Sequence, residues 1–343
     1  MPDLEFGLLP TMIGSMPHKN AGEACRQVTR YLKDIPCWPQ LPGRAFLENM
    51  YVQYSEGFPG AVVDTEKDRI YIDREGDNQK ALEQLYNASI ENDIERFPIS
   101  EEYAAGLYAF LEMDGLSPIA VKGQVTGPIS WGLTVTDKDK KSIIYDDVYG
   151  DAAARLLKLK AGWMEKVLQK VSRNTIIFID EPYLVSYGSA FVSLSREKVI
   201  GLLEEVLSGI SGIKGAHCCG NTDWSVLLDT SIDILSFDTY NYAESLTLYP
   251  AEVKNFLDRG GAIAWGVVPN ESDTQAKETV ASLKDRLEEA MAPFTRNGVR
   301  FEQLVRQGLI TPSCTLTTLS EEESGRALEL LVELSETMRK RYL

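Results

Sequence analysis

Short runs of apolar residues alternate along the chain with longer segments in which apolar residues recur at helical spacing. The short runs predict β-strands and lie at 8–15, 117–125, 174–182, 212–218, 233–238, 261–268 and 308–313. Helical patterns lie between most of them, for example at 148–172, 195–210, 276–295 and 322–341. Strands that alternate with helices in this way favour an α/β fold with parallel strands.

Seven strands are clear from these runs, and we expect an eighth in the Gly- and Asp-rich region 45–75. That region also contains the segment 61–75, which we interpret as a hairpin insertion near the N-terminus. Eight strands in a chain of 343 residues indicate a single (β/α)8 TIM barrel, as one domain over 1–343. The alternative is an open doubly wound sheet, but no Gly-rich phosphate loop follows any of the strands.

The composition argues against several classes of partner. The formal net charge is −16, and such an acidic surface repels nucleic acid and anionic membranes, so we expect neither as a partner. No apolar run is long enough to span a bilayer, and the N-terminus lacks the basic and apolar regions of a signal peptide. Five cysteines without the spacing of a disulfide framework favour a reducing, cytoplasmic setting, where clustered Cys and His indicate metal binding or catalysis.

Unusual residues occur where the predicted strands end. In a barrel, functional side chains collect at the carboxyl ends of the strands. The residues at these positions are Ser15, Gln124, Asp180, Glu181, His217, Cys219, Asp238, Asn270 and Cys314. This agreement between residue type and strand phase supports the barrel and predicts a functional site at that end.

One stretch, GAHCCGN at 215–221, combines a histidine with two cysteines. Side chains alternate along a strand, so His217 and Cys219 face one side and Cys218 faces the other. Cys314 follows the last strand, and closure of the barrel could bring it next to this pair. Two thiolates and one imidazole suit tetrahedral zinc with a fourth position open to a substrate. The alternative is that the histidine is structural and the cysteines are small apolar core residues, as we expect for Cys25, Cys37 and Cys218.

Two further motifs could bind a small substrate. FIDEPYL at 178–184 places Asp180 and Glu181 after an apolar strand, on opposite sides, so only one of them can face the mouth of the barrel. The alternative is a preference for acidic residues at a helix N-terminus. TMIGSMP at 11–17 is a Gly-Ser turn whose N–H groups and Ser15 hydroxyl could hold a carboxylate, although such turns are common in loops.

Four motifs occur in order along the chain, namely PTMIGSMP (10–17), IDEPYL (179–184), HCC (217–219) and TPSC (311–314). Together they resemble the P-T-T-T-I-G-S-F-P, I-D-E-P-A-L, H-x-C and N-P-D-C motifs of the cobalamin-independent methionine synthase family. That family shares a superfamily with uroporphyrinogen decarboxylase and the corrinoid-dependent methyltransferases. The resemblance covers nearly the whole chain, but only as the catalytic C-terminal barrel. The second, N-terminal barrel of the folate enzymes has no counterpart in this sequence.

The resemblance implies a set of zinc ligands. His217, Cys219 and Cys314 stand at the positions of the family's zinc-binding histidine and two cysteines. Asp238 stands where the family has a glutamate as the fourth ligand. Because aspartate has the shorter side chain, the identity of the fourth ligand stays open.

The resemblance also implies an amino-acid substrate. In the family, the turn that corresponds to Ile13, Gly14 and Ser15 holds the substrate carboxylate. Asp180 stands at the position that binds the substrate ammonium group. An anionic and a cationic partner for the substrate favour an α-amino acid over other thiols.

Departures from the family bear on the methyl donor. The catalytic histidine that follows the seventh strand has no counterpart in the matching segment 266–272, and the only other histidine is His18. The basic residues that follow the last zinc cysteine in folate enzymes are replaced by TLTTL at 315–319. HCCGN at 217–221 is closer to the H-x-C-G-N of corrinoid-type methyltransferases. The thiol side of the site therefore resembles the family more than the folate side does.

We therefore predict a zinc-dependent methyltransferase that makes methionine from homocysteine. The expected donor is methylcobalamin or a methylated corrinoid protein rather than methyl-tetrahydrofolate. The alternatives are a corrinoid-dependent methyltransferase acting on another thiol such as coenzyme M, a uroporphyrinogen-decarboxylase-like lyase, and a zinc-stabilised binding protein. A lyase for a polycarboxylate would need clustered arginines at the mouth, and a structural zinc site usually has four Cys or His ligands.

Overall fold

A computed structural model describes residues 4–343, and the predicted domain, 1–343, therefore begins three residues outside the described part. The strands in residues 4–343 are β1 (Leu9–Pro10), β2 (Ala61–Asp64), β3 (Arg69–Ile72), β4 (Val121–Thr126), β5 (Thr136–Asp137), β6 (Thr175–Asp180), β7 (Ile213–Cys218), β8 (Ile234–Phe237), β9 (Ala262–Val268) and β10 (Gly308–Pro312). The α-helices in the same residues are α1 (Ala21–Tyr31), α2 (Met50–Gln53), α3 (Gln79–Glu91), α4 (Ala105–Leu111), α5 (Pro128–Thr134), α6 (Asp147–Leu168), α7 (Arg196–Leu207), α8 (Trp224–Leu228), α9 (Thr239–Leu246), α10 (Pro250–Asp258), α11 (Ser272–Gln275), α12 (Val280–Arg296), α13 (Phe301–Arg306) and α14 (Glu321–Tyr342).

Within residues 4–343, seven strands form one parallel sheet in the order β1-β10-β9-β8-β7-β6-β4. From β4 to β10, each strand pairs with the next one of this sheet along the chain, and the last strand, β10, pairs with the first, β1. The sheet is curled, and its two edge strands, β1 and β4, do not pair with each other. A doubly wound sheet would reverse its strand order at a switch point. The predicted α/β class with parallel strands is confirmed. The strand order does not agree with the doubly wound alternative.

The region 45–75 gives no strand to the large sheet, so the prediction of an eighth strand there is wrong. The segment 35–40, rather than the region 45–75, lies between β4 and the chain that follows β1. It contacts β4 through a bridge to Lys122 and the chain after β1 through a bridge to Ser15. Two of its six residues are prolines, which have no backbone N–H to donate. This explains why the segment forms isolated bridges rather than a regular strand, and why its pattern was not recognisable in the sequence.

A small second sheet lies in the N-terminal part of the chain. Strands β2 and β3 pair antiparallel within the segment 61–75, with Ala61 opposite Ile72 and Asp64 opposite Arg69. Strand β3 also pairs in parallel with the two-residue strand β5. The order of this sheet, β2-β3-β5, has no strand in common with the large sheet.

The helices predicted from the sequence are present. Helix α14 begins at a capping box, in which the Ser320 hydroxyl accepts a hydrogen bond from the backbone N–H of Glu323 and the Glu323 side chain accepts one from Ser320. Three glutamates occupy its first turn, where they interact favourably with the helix dipole. None of the helices in the described part of the chain has both the length and the apolar composition needed to cross a membrane.

The large sheet is buried on both faces, which explains the near-continuous apolar runs in its strands. Alternate strand residues belong to two separate clusters. One cluster packs the sheet against the helices. The other covers what we call the inner face, and its buried members are Phe6, Leu9, Ile35, Ala120, Ile176, Phe178, Ile213, Ile234, Ala262, Ala264 and Leu309. Most of these residues lie in or before the amino-terminal halves of the strands, whereas Phe178 is the fourth of the six residues of β6 and Ile35 belongs to the segment 35–40. The carboxyl ends of the strands carry, on the same face, the polar residues described next.

Candidate metal and substrate site

Three of the predicted site residues meet at the carboxyl end of the large sheet. One ligand atom from each of His217, Cys219 and Cys314 lies within 4.8 Å of the other two. His217 is on β7, Cys219 follows one residue after that strand, and Cys314 follows two residues after β10. Side-chain alternation puts His217 and Cys219 on the inner face. Cys218 is fully buried in the cluster that packs against the helices.

The imidazole of His217 is held by a serine that the sequence did not identify. Its Nδ1 lies 3.0 Å from the hydroxyl oxygen of Ser236, the residue paired with it on β8. Its Nε2 is buried and has no hydrogen-bond partner in residues 4–343. An Nδ1–H that donates to Ser236 leaves the Nε2 lone pair free, which is the arrangement of a metal-binding histidine. Only the strand register, which the sequence does not show, reveals the role of Ser236.

The two thiols contact each other as well as the histidine. A hydrogen bond with Cys314 and the nearby His217 lower the pKa of Cys219, and the same hydrogen bond and burial raise the pKa of Cys314. The pair therefore loses its first proton readily and holds the second. Two adjacent thiolates need a neighbouring cation, and a bound divalent metal provides one. The free Nε2 of His217 and the soft thiol donors both fit zinc.

Asp238 does not join this group. It forms the N-cap of α9, where one carboxylate oxygen accepts from the backbone N–H of Asn241 at 2.9 Å and the other accepts from the Asn241 side chain at 2.8 Å. Both oxygens are thus engaged at a helix N-terminus. The expectation of Asp238 as the fourth ligand did not consider this competing local role.

The loop that carries Cys314 is anchored by Asn270, which follows β9. The Asn270 side-chain amide donates to the backbone carbonyl of Thr315 at 2.9 Å, and its side-chain oxygen accepts from the Ser313 hydroxyl at 3.0 Å. These bonds hold the residues on both sides of Cys314. The sequence placed Asn270 at a strand end but gave no indication of this anchoring contact.

The two neighbouring carboxylates of the IDEP motif have different surroundings. Glu181 is fully buried and accepts hydrogen bonds from the backbone N–H groups of Ile129 and Ser130 and from the Ser130 hydroxyl, at the start of α5. Asp180 is paired with His217 on β7, and one of its oxygens is buried without a partner in residues 4–343. Burial raises the pKa of Asp180 to about 6. Glu181 thus caps a helix, and Asp180 is the carboxylate that is free to bind a ligand.

The Ile13–Ser15 turn lies beside the Cys314 loop. Only Leu9–Pro10 of the predicted strand 8–15 is a regular strand, and the chain then turns. The carbonyl oxygen of Ser15 accepts from the backbone N–H of Leu316 at 3.0 Å, and that of Gly14 accepts from Gln40 at 3.1 Å. No N–H group of Ile13, Gly14 or Ser15 donates to another residue in the described part of the chain. The turn therefore has N–H donors without a protein acceptor among the described residues, next to the loop that follows Cys314.

Unpartnered polar atoms occur side by side on three neighbouring strands. Thr126 on β4 pairs with Asp180 on β6, which pairs with His217 on β7. Each of the three has a buried side-chain atom without a hydrogen-bond partner in residues 4–343. Buried polar atoms are nearly always satisfied in folded proteins. A row of three unsatisfied atoms therefore indicates a site that a ligand completes.

A cavity of about 860 Å³ lies at the opposite, amino-terminal end of the sheet. It contains no cysteine or histidine, and its charged lining consists of Glu5, Lys254, Asp258, Arg300, Glu302 and Arg306. Active sites of parallel barrels lie at the carboxyl ends of the strands. We therefore do not assign this cavity to the chemistry of the thiol cluster.

Neither the protein-family models nor the curated proteins give a match to this chain. Solved structures do. A B12-independent methionine synthase from Shewanella sp. W3-18-1, in complex with selenomethionine, is 17% identical, covers 97% of this chain and 98% of its own, and superposes with a TM-score of 0.60. A methyltransferase from Methanosarcina mazei is 13% identical, covers 100% of this chain and 96% of its own, and has a TM-score of 0.58. At these identities the likeness shows the fold alone.

Proposed function

We propose that this chain is a zinc-dependent methyltransferase that transfers a methyl group to the thiol of homocysteine and so forms methionine. The observation that carries the proposal is the convergence of His217, Cys219 and Cys314 within 4.8 Å of one another. Two thiols and one imidazole suit zinc and leave one tetrahedral position for a substrate thiol. The names of the two structural neighbours, a methionine synthase and a methyltransferase, agree with this activity.

We further infer that the large sheet closes into a barrel through the segment 35–40. The backbone N–H of Lys122 on β4 donates to the carbonyl of Pro36 at 2.9 Å. On the other side, the N–H of Met16 donates to the carbonyl of Gln40 at 2.9 Å. Since these bonds link β4 to the chain that follows β1, we infer that the segment takes the place of an eighth strand and that the carboxyl ends of the strands surround one mouth.

In this proposal the fourth zinc position belongs to the substrate sulfur rather than to Asp238. The carboxylate of Asp238 is held by Asn241 at the start of α9, as described above. An open position is what distinguishes a catalytic zinc site from a structural one. The five cysteines are free, and free thiol ligands suit the reducing cytoplasm that we propose as the location.

The chain's own groups would orient the substrate. The unpartnered oxygen of Asp180 would accept from the homocysteine ammonium group, and the N–H groups of the Ile13–Ser15 turn would donate to its carboxylate. An alkyl thiol has a pKa of about 8.5 and is mostly protonated at neutral pH. Zinc, when bound, would supply the Lewis acid that favours the thiolate. With the thiol proton released to solvent, the sulfur would bond to the methyl carbon, while the bond from that carbon to the donor would break and its electron pair would leave with the donor.

We propose a methylated corrinoid, free or protein-bound, as the donor. The amine of methyl-tetrahydrofolate leaves poorly unless an acid protonates it. The segment after β9 contains no histidine that could act as this acid. Of its polar side chains, Asn270 holds the Cys314 loop, and Glu271 is exposed. Cobalt(I) leaves a methylcorrinoid without a proton. The B12 independence of the Shewanella enzyme is a property of that protein, so the test must include both donors.

The test is methionine formation from homocysteine with methylcobalamin or methyl-tetrahydrofolate at matched concentration, using zinc-loaded and chelator-treated protein. We expect turnover with the corrinoid and only with zinc. Cys219→Ser should be inactive, whereas Cys218→Ser should be active because its side chain faces the helices. Turnover with methyl-tetrahydrofolate alone would refute the donor, full activity without zinc would refute the metal, and methylation of coenzyme M in preference to homocysteine would refute the acceptor.

A further inference from the structure

Lys122 is a fully buried lysine on β4 that neither the motifs nor the proposed metal site explains. Its ammonium group donates to the backbone carbonyl of Ile13 at 2.7 Å. Its other polar contacts in residues 4–343 are the side-chain oxygen of Gln124 at 3.4 Å and the sulfur of Cys37 at 3.9 Å. It also lies 4.2 Å from the centre of the Phe178 ring. A carboxylate oxygen is not among these contacts.

A buried cation without a paired anion is costly, so its environment requires an explanation. Buried charges in proteins are usually paired with an opposite charge or coordinate a metal. The Phe178 ring and three neutral acceptors stabilise the ammonium of Lys122 only in part. Asp180, the buried carboxylate two residues after Phe178, lies near enough that Lys122 partly offsets the effect of burial on its pKa, but it is not within hydrogen-bond distance of Lys122. The ammonium of Lys122 is therefore held by direct contacts with neutral acceptors, of which the carbonyl of Ile13 is the nearest.

The contact between Lys122 and Ile13 directs this charge to the turn. The carbonyl of Ile13 and the N–H of Gly14 belong to the same peptide group, so a cation at the oxygen polarises the N–H and strengthens it as a donor. Gly14 has a φ of +148°, and a Cβ at this position would lie 2.5 Å from the Gln124 side chain. Glycine is therefore required for the turn to pack on Gln124, the residue that also contacts Lys122.

We propose that Lys122 is a specificity-determining positioning residue, which holds the Ile13–Ser15 turn and, through the Ile13–Gly14 peptide, makes it selective for a thiol substrate that carries a carboxylate. This inference rests on the proposed function. Lys122 does not touch the reacting sulfur. It acts through the turn, so its removal should affect the binding of the carboxylate end and spare the metal.

The test measures the binding of two thiols to zinc-loaded protein by calorimetry, one with the carboxylate (homocysteine) and one without it (3-aminopropane-1-thiol). In Lys122→Met, which keeps most of the side-chain volume, homocysteine should bind about 10- to 100-fold more weakly. The affinity for the aminothiol should change by less than about 3-fold, and the zinc content should not change. Lys122→Gln, which is neutral but keeps a donor, should show a smaller loss in the same direction and serves if the Met variant does not fold.

Lys160 provides a matched control. It is also fully buried, and its ammonium donates to a backbone carbonyl, that of Pro98, at 3.0 Å, but it lies on α6 outside the sheet. Lys160→Met should leave the affinities for both thiols unchanged even if it destabilises the fold. Equal losses for the two thiols in the Lys122 variants, or no loss for homocysteine, would overturn the role of Lys122 while the proposed function stands. A wild-type protein that binds neither thiol would overturn both.

Discussion

The inner face of the sheet differs sharply between its apolar amino-terminal part, which we call the lower half, and its polar carboxyl-terminal end, which we call the upper half. On β8, Ile234 is buried in the apolar cluster, whereas Ser236, two residues later, contacts His217. On β6, Phe178 belongs to the cluster and Asp180 ends the strand with an unpartnered oxygen. About 6.6 Å of strand separates the two members of each pair.

The two halves of the inner face contribute different properties: the apolar half stabilises the fold, and the polar half is suited to bind a ligand. The apolar half gains free energy from burial, since a fully buried aliphatic or aromatic side chain contributes about 1.5–3 kcal/mol. The polar half contains buried atoms without partners, each of which costs about 1–3 kcal/mol in the absence of a ligand. The comparison therefore makes a general prediction. Substitutions of the apolar cluster residues should change stability and leave ligand binding intact, whereas substitutions of the metal ligands should change ligand binding and leave the stability of the metal-free protein intact.

The largest effect should come from the upper half. Cys219→Ser removes one of three protein ligands, and a zinc ligand contributes roughly 3 kcal/mol, so zinc affinity should fall about 100- to 1,000-fold. Thermal stability of the metal-free protein should change little. Competition with a chromophoric chelator measures the affinity. Cys218→Ser is the neighbouring control, and an equal loss in both variants would mean that the assignment of inner and outer faces is wrong.

The reverse result is expected for the lower half. Ile234→Ala leaves a cavity in the apolar cluster and should lower the free energy of unfolding by about 3 kcal/mol. The zinc affinity of the folded protein should be unchanged, because the substitution removes no polar contact. Denaturant unfolding and chelator competition on the same preparation give both quantities. A weaker zinc site with unaltered stability would contradict the division between the halves.

Asp180 should make stability depend on pH in the metal-free protein. Its pKa is raised by burial to about 6, compared with about 3.9 in an unfolded chain. Between these values the folded state binds more protons than the unfolded state, so the free energy of unfolding decreases as pH rises. The difference between wild type and Asp180→Asn should therefore fall by about 2 kcal/mol from pH 4 to pH 7. A constant difference, or one of the opposite slope, would show that folding does not raise the pKa of Asp180.

The smallest effect is expected from Ser236→Ala, on the same strand as Ile234. The loss of the hydroxyl frees the His217 ring, and residues that orient metal ligands typically contribute 10- to 100-fold in affinity. We expect about a 10-fold weaker zinc site with thermal stability close to that of wild type. Unchanged zinc affinity would mean that the Ser236 contact does not orient the imidazole.

Much of the fold could be predicted because strands that are buried on both faces of a sheet appear in the sequence as near-continuous apolar runs. Six predicted apolar runs correspond to regular strands over most of their length, and the closing helix begins at the capping motif of Ser320. The segment 35–40 left no such trace, because its prolines interrupt the strand pattern and its place is set by contacts with two distant edges. The position of an irregular segment is a tertiary property.

The same distinction applies to the site. The His-x-Cys spacing was readable because alternation along a strand places both side chains on one face. Ser236, Asn270 and Lys122 act through register and loop contacts, which no local pattern encodes. Asp238 was assigned to the metal by position, but it caps α9 because an aspartate before a helix satisfies free N–H groups. Residue type and spacing thus predicted the converging cluster but not the residues that orient it.

The central claim is that the upper half of the inner face holds a zinc whose open position takes a substrate sulfur. X-ray absorption at the zinc edge tests it most directly, on wild-type protein with and without homocysteine. We predict two sulfur ligands at about 2.3 Å and one nitrogen at about 2.0 Å from His217, Cys219 and Cys314, and a third sulfur after homocysteine is added. A zinc shell without sulfur, or one whose sulfur count does not rise with homocysteine, would contradict the account.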